Sequence, residues 1–180
     1  MSELMASMLI CDNSFAMDNE SQPLITFSHM MSKVGSFLFY WSWLEQALTD
    51  SIVEMRVSLG DEPKAVKGEL AKRLTVWTEL LERTGSTEEQ VGVSKTVVAQ
   101  ILAIKDVRNV IVHGLRAGDA NSDTGAAFIE CAIGGYENPT GSRVQYSMDD
   151  LENLTQGIDA CRRAFIDLSY FNYVIDLPLS

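Results

Sequence analysis

The chain has 180 residues, of which 46% are hydrophobic and 22% charged, and its 25 acidic and 14 basic side chains give a net charge of −11. This length suits one domain with a single core, and the composition is far from that of disordered chains. The acidic balance excludes a broad nucleic-acid clamp, because phosphate binding depends on Lys and Arg. Any nucleic-acid site must therefore be local.

The cysteines and the first residues of the chain bear on its compartment. Cys11, Cys131 and Cys161 form neither a CxxC motif nor an even framework, and no pair of histidines joins them at metal-ligand spacing. Residues 1–27 have no basic leading segment and no apolar run long enough to cross a bilayer. The sequence thus predicts a cytoplasmic protein with no metal, no cofactor and no membrane association.

The chain divides into a partly ordered arm at 1–27 and one helical domain at 28–180. Apolar residues recur at helical spacing from about Met30 to Ser58, which predicts a first helix. A second helix is expected to start just after Pro63, a residue that suits the first helical turn, and to end before Gly85.

The second half of the chain predicts two more helices around a hairpin. The third helix is expected from Ser94, as its N-cap, to Leu115, and is apolar around most of its circumference. Two short apolar runs at about 126–148 predict a β-hairpin, after which Ser147 caps the last helix. The predicted fold is mainly all-α, a four- to five-helix up-down bundle with a small hairpin inserted before the last helix.

Two charges occupy positions where an apolar residue is expected. On a helical wheel, Arg108 lies in the middle of the apolar stripe of the third helix, and Glu45 lies in the middle of that of the first. An unpaired buried ion costs several kcal/mol, so the simplest expectation is that Glu45 and Arg108 form an ion pair between the two helices. The alternative is that each side chain extends to the edge of its stripe and into solvent.

A second face of the third helix carries the groups that phosphate chemistry needs. Asn109 and His113 are four residues apart on that face, with Lys105 and Arg116 close by. An imidazole titrates near neutral pH, and cations beside it can hold a phosphate. His113 can equally be a helix C-terminal residue that the helix dipole stabilises.

The run from Arg108 to Gly114 resembles the Arg-x4-6-His motif of HEPN domains in its RNxxxHG form. Trp41 and Glu45 resemble the aromatic and acidic signature in the first long helix of many members. The order of helices around a hairpin also agrees with that layout, and the resemblance extends over about residues 30–173.

The resemblance implies a helical bundle that dimerises through the third helix, and a metal-independent endoribonuclease of toxin–antitoxin or phage-defence systems. Arg108 would stabilise the scissile phosphate, Asn109 would assist it and His113 would transfer protons, with Lys105 and Arg116 binding the substrate. The ribose 2′-hydroxyl would attack the adjacent phosphate at a composite dimer site. An antitoxin or another protein partner would accompany the homodimer.

Two other functions stay open at the level of sequence. One is a noncatalytic interaction module in which Arg108 pairs structurally with Glu45 and the dimer, or the loop from Gly135 to Gly141, recruits a protein. The other is a nucleotide-binding bundle, although no Gly-rich phosphate loop supports it.

Overall fold

The computed structural model describes residues 21–120, 127–135 and 141–174. In these residues the chain forms four helices, α1 (Ser21–Ser58), α2 (Leu70–Arg83), α3 (Glu88–Gly114) and α4 (Met148–Val174). Three strands, β1 (Leu115–Ala120), β2 (Ala127–Ala132) and β3 (Arg143–Ser147), lie between α3 and α4. The prediction of a mainly helical fold with a small β element before the last helix is confirmed.

The four helices enclose one core. Each of α1 and α3 packs against both α2 and α4, so α1 and α3 lie on a diagonal of the bundle. Trp77 of α2 and Phe165 of α4 meet edge to face in the centre, with 4.7 Å between their ring centroids. The Trp77 indole also donates a 2.9 Å hydrogen bond to the buried Ser51 hydroxyl, which satisfies its N–H inside the core.

The helix directions differ from the predicted up-down order. Contacts along α1 and α4 advance together, because Lys33 binds Glu152 and Ser51 binds Ser169, so these helices are parallel. Contacts of Arg73 with Glu45 and of Trp77 with Ser51 show that α2 also runs parallel to α1. Only α3 runs the opposite way, since four residues join it to α2. The extended segment at 59–69, which leads back along α1, is the reason that the prediction was wrong.

Several helix boundaries also differ from those predicted. Helix α1 begins at Ser21, so residues 21–27 belong to it and not to an arm, and residues 1–20 lie outside the described part. Helix α2 begins at Leu70 and not after Pro63. Helix α3 begins earlier than Ser94, because Thr87 and Gln90 form a capping box there.

The predicted cap of the last helix is present. The Ser147 hydroxyl accepts a 3.0 Å hydrogen bond from the Asp150 amide, and the Asp150 carboxylate accepts 2.8 Å bonds from the Ser147 amide and hydroxyl. These bonds lower the pKa of Asp150, the backbone bond most strongly.

The strands form an antiparallel sheet in the order β1-β2-β3 at the end of the bundle where α3 finishes and α4 begins. The predicted hairpin corresponds to β2 and β3, which pair from Phe128 with Ser147 to Ala132 with Arg143. The additional strand β1 pairs with β2 and carries a bulge at Arg116, since Leu115 pairs with Cys131 and Ala117 with Glu130. The sheet thus holds the C-terminal end of α3 in place.

Candidate functional site on helix α3

Helix α3 carries the predicted site residues on the part nearest the sheet. Its buried residues are those of the predicted stripe, together with Ser94 and Gly114: Val97, Ile101, Ile104 and Ile111. Ser94 is inside the helix, where its hydroxyl donates to the Val91 carbonyl. Neighbours in the same chain, α2, α4, β1 and β2, cover part of the helix, and Val93 and Val112 stay exposed.

Arg108 occupies the centre of this stripe and is partly buried. Its Nη1 donates a 3.1 Å hydrogen bond to Oδ1 of Asn109, which lies on the side of the helix that faces His113. Its Nε is buried and has no hydrogen-bond partner in the structure. No ion pair to Arg108 exists among the described residues. The guanidinium therefore keeps its charge and a donor for another group.

The expected ion pair between Glu45 and Arg108 is not formed. Glu45 instead accepts a 2.8 Å hydrogen bond from the Trp41 indole and lies 3.5 Å from Nη1 of Arg73 in α2. Nη2 of Arg73 also donates 2.7 Å bonds to the Glu45 carbonyl oxygen and the Thr49 hydroxyl. The prediction was wrong because α1 and α3 are diagonal in the bundle, whereas α2 is adjacent to α1.

His113 lies exposed in the last turn of α3, where the backbone is tightly packed. A Cβ atom on Gly135 would lie 3.3 Å from the His113 carbonyl oxygen, and one on Gly114 would clash with the backbone of Ala132. Gly135 also has φ +73°, a conformation that favours glycine. The two glycines thus fix the backbone of His113 on both sides and leave its imidazole at the surface.

Arg116 joins this group through the bulge in β1. Its Nη2 donates a 3.3 Å hydrogen bond to the carbonyl oxygen of Gly135, the residue that contacts His113. Bulges often redirect a side chain beside a functional site, and here the bulge places an exposed cation next to the end of α3. The role of Gly135 was missed from the sequence, although the Gly134-Gly135 pair marked a turn.

Lys105 lies one turn before Asn109, and 40% of its side chain is exposed. Its ammonium is 4.0 Å from Asp106, a separation at which a surface pair contributes little. The structure therefore places Lys105, Asn109 and His113 along one side of α3, while the Asn109 hydrogen bond draws the Arg108 guanidinium toward that side. Arg116 completes the group at the sheet end.

The described residues offer few metal-binding or reactive groups beyond those on α3. They contain no group of three His, Cys, Asp or Glu side chains that could hold a metal ion. Cys131 and Cys161 are free and buried, and burial raises the pKa of each thiol to about 11. In the described part of the chain, no helix has both the length and the apolarity to cross a membrane.

Comparisons with known proteins give no further assignment of the site. No protein-family model, no curated protein and no solved structure matches the chain. The resemblance to HEPN domains therefore depends on the residues from Arg108 to Gly114 and on the placement of this run at the end of a bundled helix.

Proposed function

We propose that the protein is an endoribonuclease that cleaves RNA without a metal ion, with Arg108, Asn109 and His113 as its catalytic residues. The observation that carries the proposal is the state of Arg108. A partly buried guanidinium without a carboxylate partner among the described residues is suited to bind an anion such as phosphate.

The arrangement supports one reaction class. The ribose 2′-hydroxyl gives its proton to His113 and attacks the adjacent phosphorus, the bond to the 5′-oxygen breaks, and the departing oxygen takes up that proton. Arg108 stabilises the charge that develops on the phosphorane, and Asn109 holds the guanidinium through its 3.1 Å hydrogen bond. His113 is the exposed group whose imidazole transfers protons at neutral pH.

Lys105 and Arg116 supply the binding charge. They lie before and after the catalytic residues, so an RNA backbone that follows this side of α3 would contact both cations. Each phosphate contact adds to the salt dependence of affinity. In a chain of net charge −11, these contacts provide a focused site and not a general affinity for RNA.

The pairing of two α3 helices, which the resemblance implies, stays a prediction. It would bring a second Arg108 and His113 to the same RNA. In this proposal the enzyme acts in the cytoplasm as a toxin or phage-defence protein, and an antitoxin restrains it. Expression of the wild-type protein should then arrest growth, whereas expression of His113→Ala should not.

The direct test is cleavage of a labelled RNA in EDTA by wild-type protein and by alanine variants. We expect His113→Ala to lower the rate by about 10²- to 10⁴-fold and Arg108→Ala by about 10²- to 10³-fold. Lys95→Ala is the matched control, because Lys95 is an exposed lysine of the same helix outside the site. Absence of cleavage by well-folded wild-type protein would instead favour the noncatalytic interaction module.

A further inference from the structure

A row of exposed apolar residues follows the outer surface of α1. We call this row the α1 ridge, and it consists of Phe27, Met31, Gly35, Phe39 and Trp43. Its four large side chains are among the most exposed apolar residues of the described chain, with Phe39 at 63%. Because consecutive members are four residues apart, they form one of the natural ridges by which helices pack against each other.

The exposed positions of α1 around the ridge carry no Asp, Glu, Lys or Arg. Between Phe27 and Gln46, none of the exposed side chains of α1 belongs to Asp, Glu, Lys or Arg. The two charged residues of this stretch, Lys33 and Glu45, are partly buried and bind Glu152 and Arg73. Depletion of charge is typical of the centre of a protein interface, and it is unexpected on an exposed helix of so acidic a chain.

Gly35, at the middle of the ridge, has no packing contact on its Cα side among the described residues. It lies inside the helix, where glycine is less favourable than alanine, and a Cβ there would have no atom within 4 Å. A small residue at this position does, however, let the backbone of another helix come close. Gly35 therefore leaves room at the centre of the ridge for the backbone of a second helix.

We propose that the α1 ridge is the interface of a twofold symmetric dimer, in which two copies of α1 cross antiparallel at Gly35. The ridge is symmetric about this residue, with members four and eight positions away on each side. Under the twofold axis, Phe39 packs against Met31 of the second copy and Trp43 against its Phe27. A twofold interface brings the same surface of both copies into contact, so that surface must be complementary to itself. The symmetric spacing of the ridge residues meets this requirement.

Helix α4 holds the aromatic half of the ridge in position. The guanidinium carbon of Arg162 in α4 lies 4.3 Å from the Trp43 ring centroid, and Asp159 binds the same guanidinium at 2.8 Å. Phe39 and Trp43 also contact each other, with 5.9 Å between centroids. The aromatic half of the ridge is therefore held in position, and the charge of Arg162 is paired.

The size of the ridge agrees with a dimer. A large side chain of this kind has an accessible surface of about 150–250 Å². The exposed fractions of the four large ridge residues therefore add up to roughly 400 Å² of apolar surface on each copy. Two copies and the flanking serine residues bring the total near the lower limit of specific interfaces, about 1,200 Å². Ridges of this spacing interdigitate at about 50°, which we expect for the crossing of the two helices.

The proposed dimer is independent of the proposed ribonuclease site. Helix α1 is diagonal to α3, so the α1 ridge and His113 lie on helices that do not pack side by side. Disruption of the ridge should therefore leave the cleavage rate per chain unchanged, and failure of one proposal does not imply failure of the other.

The first test is sedimentation of the full chain over a range of concentrations. We expect the chain to self-associate, and Phe39→Glu should weaken the α1–α1 step roughly a hundredfold or more, since the carboxylate enters that interface twice, whether or not the α3 helices also pair. Val57→Glu is the matched control, because Val57 is an exposed residue of α1 beyond the uncharged stretch. A wild-type chain that stays monomeric, or a Phe39→Glu chain that associates as strongly as the wild type, would overturn the proposal.

The second test determines the direction of the helices. In a Cys11→Ser background, Ser32→Cys lies about 9 Å from its counterpart along the axis of an antiparallel pair, whereas Gln46→Cys lies about 33 Å away. A short thiol crosslinker should thus join Ser32→Cys chains and leave Gln46→Cys chains separate, since Cys131 and Cys161 are buried. Equal crosslinking of both variants, or of neither, contradicts the antiparallel contact.

Discussion

Gly114, the last residue of α3, packs directly against the backbone of Ala132 in β2. A Cβ atom at position 114 would lie only 3.1 Å from the Ala132 nitrogen and closer still to its carbonyl oxygen. The glycine that follows His113 in the motif therefore has a structural role, because it lets the end of the helix reach the sheet.

Replacement of Gly114 tests this contact. Gly114→Ala should lower the free energy of unfolding by about 1–3 kcal/mol, because backbone atoms must move to admit the methyl group. Gly92→Ala, in the same helix with no atom near its Cβ, should instead raise it by about 0.5–1 kcal/mol. Urea denaturation measures both, and an equal effect of the two substitutions would contradict the close approach at Gly114.

Arg73 is expected to be more important for stability than the carboxylate it faces. Its shortest hydrogen bonds, both 2.7 Å, go to the Glu45 carbonyl oxygen and the Thr49 hydroxyl, whereas the Glu45 carboxylate is 3.5 Å away and 41% exposed. Arg73→Met should cost about 1–3 kcal/mol and Glu45→Gln less than about 1 kcal/mol. Chemical denaturation of both variants distinguishes this order from the reverse, which a dominant ion pair would give.

Replacement of Arg108 should abolish RNA cleavage without lowering the stability of the fold. Its Nε is buried without a partner, so Arg108→Met should leave the free energy of unfolding unchanged or raise it by about 1 kcal/mol. The same variant should lose RNA cleavage, because no cation remains at the scissile phosphate. A large loss of stability in Arg108→Met would show that the guanidinium serves the fold.

The Asp159 carboxylate should contribute stability that disappears in acid. Hydrogen bonds from Arg163 and Arg162 lower its pKa below the ordinary value of 3.8. The contribution is therefore complete above that value, and it is lost as the pH falls through the lower pKa of the folded state. The difference in unfolding free energy between wild type and Asp159→Asn should shrink over this range, while the difference for Asp149→Asn, a carboxylate outside the arginine pair, should change less.

The sequence was sufficient for features that depend on local pattern. The buried stripe of α3 and the role of Ser147 as the cap of α4 were predicted, because periodicity and capping act within a few residues. The strand β1 was not predicted, since Gly118 and Asp119 are unfavourable in strands and its pairing with β2 is a contact that the local sequence does not show.

The partner of Glu45 could not be predicted for a different reason. A helical wheel shows which side of a helix is buried, but not which helix covers it. The parallel return of α2 brings Arg73 to Glu45 and leaves Arg108 on the opposite side of the bundle. The same arrangement removes the pairing with Glu45 as an explanation for Arg108.

The end groups of cleaved RNA test the central proposal most directly. In EDTA, the wild-type protein should produce a 2′,3′-cyclic phosphate on one fragment and a 5′-hydroxyl on the other, and His113→Ala with an unchanged unfolding transition should produce neither. A 5′-phosphate product, or equal cleavage by the His113→Ala variant, would contradict the assignment of Arg108, Asn109 and His113 as the catalytic residues.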